Sequence, residues 1–370
     1  MRLLPTPVVN RVLPLLKPVR AAVQAGWLRE DVIDYYGRLL HPQLQLQRTL
    51  ARVAGIRAVS ESTIAISLLP SKNWQGMQPG QHIGVTVEFA GVRHQRRYSP
   101  CQSAGQPLEI AVKRHADGVV SPWLHTDLQV GSYVELSAAQ GEFVLPATLP
   151  AQLLFLAAGS GITPVLALLR ELSSRNYQGE VALCYYGRHR RDMAYLDTLQ
   201  AMQIGGKPLR LLVGLTGEAA GPNELTGRIS TTHLEQALPA LRDSHAFACG
   251  SHGFTEAAKQ AWHAIGGGKF TEESFTPPQW QLHDDEAMQL TYARSGISLS
   301  GRTGKTLLEQ AEAHGLKPAS GCRMGICHTC TCQKRSGAVR DLRTGLISTE
   351  PDEAIRLCIS APVGDVTLDL

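Results

Sequence analysis

The chain has 370 residues, 43% of them hydrophobic and 18% charged, with a formal charge of +4. That length carries two or three domains with their own cores, and the ordinary composition excludes a disordered or fibrous protein. The charge is mild and no basic run carries interleaved aromatics, so no nucleic-acid partner is expected.

Residues 1–48 read as a helical extension. Pro5, Pro7, Pro14 and Pro18 break its first part into short pieces. From Trp27 to Leu40, apolar residues at Leu28, Val32, Tyr36, Leu39 and Leu40 recur at helical spacing. The amphipathic helix they predict either packs its stripe on the next domain or offers it to a partner or a membrane surface. Asn10, Arg11, Lys17 and the prolines interrupt any secretory leader, and no apolar run approaches the roughly 18 residues of a membrane span. Eight cysteines, four of them with a ligand spacing described below, argue for a reducing compartment. A cytoplasmic protein, at most peripheral to the inner membrane face, is the expectation.

Residues 49–147 have an all-β texture, with short alternating segments at 80–88, 108–113 and 133–136, and predict a small antiparallel barrel. Within it, Arg96-Arg-Tyr98-Ser99 offers a guanidinium fork for phosphate, an aromatic plate and a small hydroxyl. Taken alone it is equally an exposed basic turn. Further on, Gly118-Val-Val120-Ser121 opens a short helical segment, where backbone N–H groups can bind phosphate.

Residues 150–278 alternate strands with helices, which predicts a parallel α/β sheet. A buried strand at 153–158 runs into Gly159-Ser-Gly161-Ile-Thr163-Pro and then a helix. Further strands are expected at 181–186, 209–213 and 245–249. The second strand ends in Tyr186-Gly-Arg188-His-Arg190-Arg191, with no carboxylate before Asp192. A basic residue there accommodates a nucleotide 2′-phosphate, whereas an acidic one holds a 2′-hydroxyl. NADPH is therefore expected over NADH, with Arg188 as the phosphate contact.

Pro277, Pro278 and the polar run to Glu286 read as a linker. Residues 288–370 then show two short strands, a helix from Thr306, a cysteine-bearing loop and a closing strand, the order of an α+β β-grasp domain. Gly301-Arg-Thr-Gly-Lys-Thr306 resembles a phosphate loop but has Leu299 where that motif needs glycine, so it reads as a turn capped by Thr306. The decisive pattern is Cys322, Cys327 and Cys330, spaced C-x4-C-x2-C, with Cys358 after a gap of 27 residues. It matches the ligand spacing of a plant-type [2Fe–2S] cluster. Zinc is the competing metal, with His328 and Cys332 as extra soft ligands, but structural zinc sites usually show two separated ligand pairs. Cys332 fits no ligand position and reads as a strand residue.

Taken in order, RRYS, GVVSPWL, GSGITP, Cys249-Gly250 and the C-terminal cysteines resemble the ferredoxin–NADP reductase superfamily, in its flavin/iron–sulfur reductase form. The resemblance implies that Arg96 holds a flavin phosphate, that Tyr98 stacks on the isoalloxazine, and that Ser99 hydrogen-bonds near flavin N5. Val112 and Lys113 would run along the flavin tail, and Gly118, Val120 and Ser121 would bind its phosphates. Gly159, Gly161 and Thr163 would meet the nicotinamide nucleotide, with Cys249 and Gly250 beside its reacting ring. Tyr98, Ser99 and Cys249 are thus the expected catalytic positions. Ser251 departs from the proline usual after Cys-Gly. The implied cofactors are FAD (FMN serves some relatives), a [2Fe–2S] cluster and a nicotinamide nucleotide. The implied activity is transfer of electrons to a one-electron acceptor protein. A membrane-bound di-iron acyl desaturase is the first expectation for it, from the extension. A ring-hydroxylating oxygenase, a demethylase or a cytochrome P450 is the alternative. A non-enzymatic electron carrier or redox sensor would require the flavin and nucleotide motifs to be vestigial.

Overall fold

The computed structural model describes residues 6–89, 92–102, 106–116, 118–238, 243–275, 286–321, 323, 325 and 329–370. It divides into two compact units, Met1–Thr276 and Pro277–Leu370. The expected linker falls almost wholly outside the described residues, as do Cys322 and Cys327. Among the described residues no helix is long and apolar enough to cross a membrane.

The first unit opens with α1 (Thr6–Val12), α2 (Lys17–Gln24) and α3 (Glu30–Leu40). Val9 and Leu13 are fully buried. Arg20 donates to Asn73 Oδ1 at 2.7 Å, and Asn73 Nδ2 donates to the carbonyls of Gln45 and Arg48 at 2.8 and 2.9 Å. One buried amide thus ties the extension and the chain after it to the barrel. The stripe of α3 does not pack on the next domain. Val32, Tyr35, Tyr36, Leu39 and Leu40 are exposed, and the opposite face is covered instead. There Asp34 accepts the Leu46 N–H at 2.8 Å, and a Cβ on Gly37 would lie 2.2 Å from the Leu44 carbonyl oxygen. A charge-assisted hydrogen bond and a close backbone approach, rather than apolar burial, set the rotation of this helix.

The barrel follows as β1 (Thr49–Ser60), β2 (Thr63–Pro70), β3 (Ile83–Phe89), β4 (Val92–Tyr98), β5 (Leu108–Lys113) and β6 (Tyr133–Leu136). All its pairings are antiparallel, in the order β4-β3-β6-β1-β2-β5. Alternation puts Val53, Ile66, Val85, Ile110, Val134 and Leu136 inside. The short α4 (Val120–Thr126) adds Val120 and Leu124 to that core.

The texture then changes to β7 (Gln152–Ala158), α5 (Ile162–Ser174), β8 (Glu180–Gly187) and α6 (Leu196–Gln200). A ribbon of β9 (Gln203–Ile204) and β10 (Lys207–Pro208) leads into β11 (Arg210–Leu215) and β12 (Leu225–Thr226). After α7 (Thr231–Ala237) come β13 (Ser244–Gly250), α8 (His252–Ala264) and β14 (Lys269–Ser274). The sheet is parallel, ordered β12-β11-β8-β7-β13-β14. Its strands are apolar on both faces because helices cover both. In α5 the side chains of Leu166, Leu168, Leu169 and Leu172 are fully buried, each contributing about 1.5–3 kcal/mol of apolar transfer. The strand order reverses between β7 and β13, so the connections leaving their carboxyl ends run in opposite directions there. Such a switch point is where open α/β sheets bind nucleotides.

The second unit contains β15 (Ala287–Tyr292), β16 (Ile297–Arg302), α9 (Leu307–Ala313), β17 (Thr331–Asp341), β18 (Ile347–Ser348), β19 (Glu353–Arg356) and β20 (Ser360–Leu368). Its sheet runs β16-β15-β20-β17-β18, with β19 also on β17 and β15–β20 parallel. Thr306 and Glu309 form a reciprocal capping box at the start of α9. Gln310 hydrogen-bonds both the N–H and the carbonyl of Arg302, so the glycine-rich turn is held as a structural element.

Candidate active site

At the end of β4, Arg96 and Tyr98 share a strand face by their spacing. Arg96 is exposed and donates to the Gln95 carbonyl, while the partly buried Tyr98 stands opposite Ile83 in the ladder. Burial pushes the Tyr98 phenol above its ordinary range against the opposing effect of Arg96, so it stays neutral. Ser99 follows, only 2% exposed, with its Oγ buried and without a hydrogen-bond partner among the described residues. Arg97 Nη2 is likewise orphaned. Buried polar atoms left unpaired cost stability, and a polar ring edge bound beside Ser99 would satisfy that hydroxyl. The residues present fit a flavin in this respect.

In β5, Val112 points into the barrel core and its carbonyl accepts from His125 Nε2 at 2.8 Å, while Lys113 lies opposite Thr63. The Gly118 turn is tight. A Cβ there would sit 3.0 Å from Ser121 Oγ and 3.1 Å from the His115 carbonyl. Ser121 Oγ accepts the His115 N–H at 3.1 Å and Val120 is buried, so these two residues shape the turn.

At the switch point, Gly159 has φ +55° and Gly161 presses on the end of β13. A Cβ on Gly161 would lie 2.1 Å from the Cys249 carbonyl oxygen and 2.8 Å from the Gly250 nitrogen. Thr163 Oγ1 donates to the Ser160 carbonyl at 3.1 Å and closes the turn. Cys249 is fully buried, and burial, reinforced by Glu273, raises its thiol well above the ordinary range. It is therefore a neutral, shape-giving group rather than a nucleophile. Ser251 takes φ −71° at the N-cap of α8, the backbone a proline would adopt, so its departure from the family pattern leaves the loop's path intact. Beyond β8, Arg190 pairs with Glu224 and Arg191 lies 3.5 Å from Glu61. The exposed Arg188 guanidinium has no ion-pair partner among the described residues.

Two polar junctions escaped the sequence reading. His82 Nδ1 lies 3.0 Å from Glu273 Oε1, with His82 Nε2 and Glu273 Oε2 both buried and without a partner among the described residues. His82 directly precedes Ile83, the ladder partner of Tyr98, and Glu273 is the ladder partner of Cys249. The contact therefore brings the Tyr98–Ser99 end of the barrel and the Cys249 end of the parallel sheet to one place. The second junction centres on Tyr195, whose hydroxyl donates to Glu109 Oε1 at 3.1 Å and accepts from the Cys101 thiol at 3.3 Å. Arg57 and Arg170 flank Glu109 at 2.8 and 3.7 Å and both lie over the Tyr195 ring. Burial pushes the Cys101 thiol up to about 12. His82, Cys101 and Tyr195 carry no local motif. Partners 86 to 191 residues apart leave no periodic signal.

Of the four expected cluster ligands, Cys330 and Cys358 are described, and both are buried. Cys330 precedes β17, and its carbonyl accepts the Leu357 N–H at 3.1 Å, which places the two cysteine segments side by side. Gly325 N–H donates to Cys358 Sγ at 3.2 Å. Gly325 has φ +70° and would meet Ile359 if it carried a Cβ, so the loop needs glycine there. Arg356 holds the Gly325 carbonyl at 2.5 Å and reaches Asp341 at 3.3 Å. An N–H donor aimed at a ligand sulfur suits an anionic cluster. Cys332 lies within β17 opposite Ile355, as a strand residue.

The three-part architecture, with a switch-point nucleotide turn and a loop N–H aimed at a buried cysteine sulfur, defines a flavin- and iron–sulfur-dependent reductase. Family comparisons agree with it. An oxidoreductase FAD-binding domain matches residues 51–145, an oxidoreductase NAD-binding domain 155–260, and a 2Fe-2S iron-sulfur cluster binding domain 290–363. An NADPH oxidoreductase of Mycobacterium tuberculosis is 30% identical over 96% of this chain and 92% of its own length. The reductase subunit of glycine betaine monooxygenase from Pseudomonas aeruginosa is 27% identical over 79% of this chain and 87% of its own. Phthalate dioxygenase reductase shares the fold, with a TM-score of 0.59 at 22% identity over 87% of this chain and 98% of its own. The chain belongs to the ferredoxin–NADP reductase superfamily, in the branch with a C-terminal 2Fe-2S domain. It is an NAD(P)H-dependent oxidoreductase whose cofactors are FAD and a [2Fe–2S] cluster, and the zinc alternative falls away.

Proposed function

We propose that this reductase takes electrons from NADPH and delivers them to a membrane-bound di-iron acyl desaturase. When bound, the flavin and cluster together turn a two-electron hydride donor into a source of single electrons. The chain's own residues position them. In this reading Arg96 binds a flavin phosphate, Tyr98 covers the isoalloxazine face, and Ser99 Oγ hydrogen-bonds the ring edge near N5. Lys113 and the Val112 backbone follow the tail, with the turn of Gly118, Val120 and Ser121 at the phosphates. Gly159, Gly161 and Thr163 shape the nucleotide seat, and Cys249 and Gly250 exclude water beside the nicotinamide. Cys322, Cys327, Cys330 and Cys358 bind the cluster. The His82–Glu273 contact keeps the two reacting faces in register.

For the nucleotide, the carrying observation is Arg188, unpaired among the described residues while its neighbours Arg190 and Arg191 are committed to carboxylates. A relative named NADPH oxidoreductase supports the same choice. That alignment covers 96% of the chain and so takes in most of the extension. For the acceptor, the supporting observation is the exposed stripe on α3. A soluble oxygenase is the second reading, favoured by that monooxygenase reductase relative.

Reconstitution decides between them. Membranes carrying a di-iron acyl desaturase should form acyl double bonds when given this protein, NADPH and dioxygen, which takes up the four electrons, with NADH at least about tenfold less efficient in kcat/KM. No desaturation, alongside rapid turnover of a soluble oxygenase component, would contradict the acceptor assignment.

A further inference from the structure

Three observations converge on the extension. Residues 1–48 hold seven lysines and arginines against three carboxylates, a surplus equal to the +4 of the whole chain. The rest of the protein is electrically balanced. On α3, Val32, Tyr35, Tyr36 and Leu39 recur at three- and four-residue spacing and form one stripe. They are exposed, Tyr36 by 62%, and just ahead of the helix Trp27 is 84% exposed. The stripe is not free to turn inward, because Asp34 and Gly37 on the opposite face are held by Leu46 and Leu44. On the Asp34 side of the helix, away from the stripe, opens a surface cavity of about 560 Å³ lined by Arg29, Arg38 and Arg48 together with Val23 and Leu28. Two carboxylates also line it, but Asp34 accepts the Leu46 N–H and Glu30 accepts from Gln47 Nε2 at 3.1 Å.

We infer that this face is a peripheral anchor for an anionic lipid bilayer. Tryptophan and tyrosine favour the headgroup level, where an apolar ring body and a polar tip are both satisfied. Val32 and Leu39 enter the acyl boundary as in other in-plane amphipathic helices. The exposed Arg29 and Arg38 guanidiniums, at the N-cap and in the last turn of α3, meet lipid phosphate, and the positive surplus of the extension as a whole is drawn to an anionic leaflet. A single occupant thereby accounts for the apolar stripe, the aromatic rim and the charge at once. The inference deepens the proposal of a membrane-bound acceptor and rests on that reading for its purpose.

The test is flotation of the full-length holoprotein with phosphatidylcholine vesicles containing phosphatidylglycerol. Binding is expected, and should fall more than about tenfold on phosphatidylcholine alone or in high salt. The combined variant Val32→Ser, Tyr36→Ser, Leu39→Ser should also lose more than about tenfold in partitioning. It should keep its flavin content and its NADPH–ferricyanide rate, because all three side chains are exposed. The pair Arg29→Gln and Arg38→Gln should abolish the preference for anionic vesicles. No flotation with either vesicle, or flotation unchanged in the triple variant, overturns the anchor. So does binding that requires an acceptor protein in the bilayer, which would make the stripe a protein-docking face. If vesicles are not bound while desaturase turnover persists, the anchor fails and the acceptor assignment stands. Vesicle binding without desaturase turnover would sink the acceptor alone.

Discussion

Replacing Cys358 by serine should leave NADPH-driven reduction of ferricyanide near the wild-type rate and slow reduction of cytochrome c by about a hundredfold or more. The small oxidant can take electrons from the flavin directly, whereas a protein acceptor is served through the cluster. Cys358 is buried in the one-turn segment Leu357–Ile359 between β19 and β20. Its sulfur receives the Gly325 N–H, and Leu357 is tied to the Cys330 carbonyl. Two of the expected ligands and their loop are thus coupled at one point. A serine hydroxyl is a harder ligand that gives up its proton far less readily than a thiol, so it binds iron poorly here. The fold should survive, because β17 and β20 pair along their lengths independently of that side chain. Full iron content together with an unchanged cytochrome c rate in the variant would count against the ligand assignment.

The second large effect is expected at Gly161. An alanine methyl there would overlap the Cys249 carbonyl, 2.1 Å from its oxygen and 2.4 Å from its carbon. Both are backbone atoms of a central strand, so no side-chain rotation relieves the clash. The β7–α5 turn must move off the end of β13. Such overpacking costs about 1–3 kcal/mol, and the displacement falls on the switch point itself. The KM for NADPH should rise more than about tenfold while flavin content is retained. Gly159 offers a contrast, since its Cβ would meet open space and the cost there is only the left-handed φ of +55°. Gly159→Ala should therefore be milder. A Gly161→Ala enzyme with wild-type KM would show that this turn does not form the nucleotide seat.

Much of the architecture was legible because its signals are local. The strand that became β7, its glycine turn and α5 stand in one run of sequence, and burial on both faces of the parallel sheet leaves an unbroken apolar string at Leu153–Ala158. The cysteine spacing carried the metal chemistry for the same reason, since three of the expected ligands fall within nine residues. Thr306 and its partner Glu309 likewise sit in one turn.

What stayed hidden depends on contacts between distant segments. Ser99 could be picked out as a hydroxyl beside Tyr98, but its orphaned, buried state is a property of the packed barrel. The His82–Glu273 contact spans 191 residues and includes a histidine with no motif of its own. The α3 helix failed differently. Its periodicity was readable, yet amphipathicity alone does not say which face meets the protein. Asp34 and Gly37, one a hydrogen-bond acceptor and the other a point of close backbone approach, decided that, and left the stripe outside.

The most direct test of the electron relay is an anaerobic titration of the purified protein with NADPH, followed in the visible spectrum after iron and flavin have been counted. The account predicts about one FAD and about two irons per chain, with flavin and iron–sulfur absorbance both bleaching as NADPH is added. Flavin that bleaches while a fully occupied cluster stays oxidised, even in the presence of excess NADPH, would contradict it, as would a protein that remains iron-free after reconstitution.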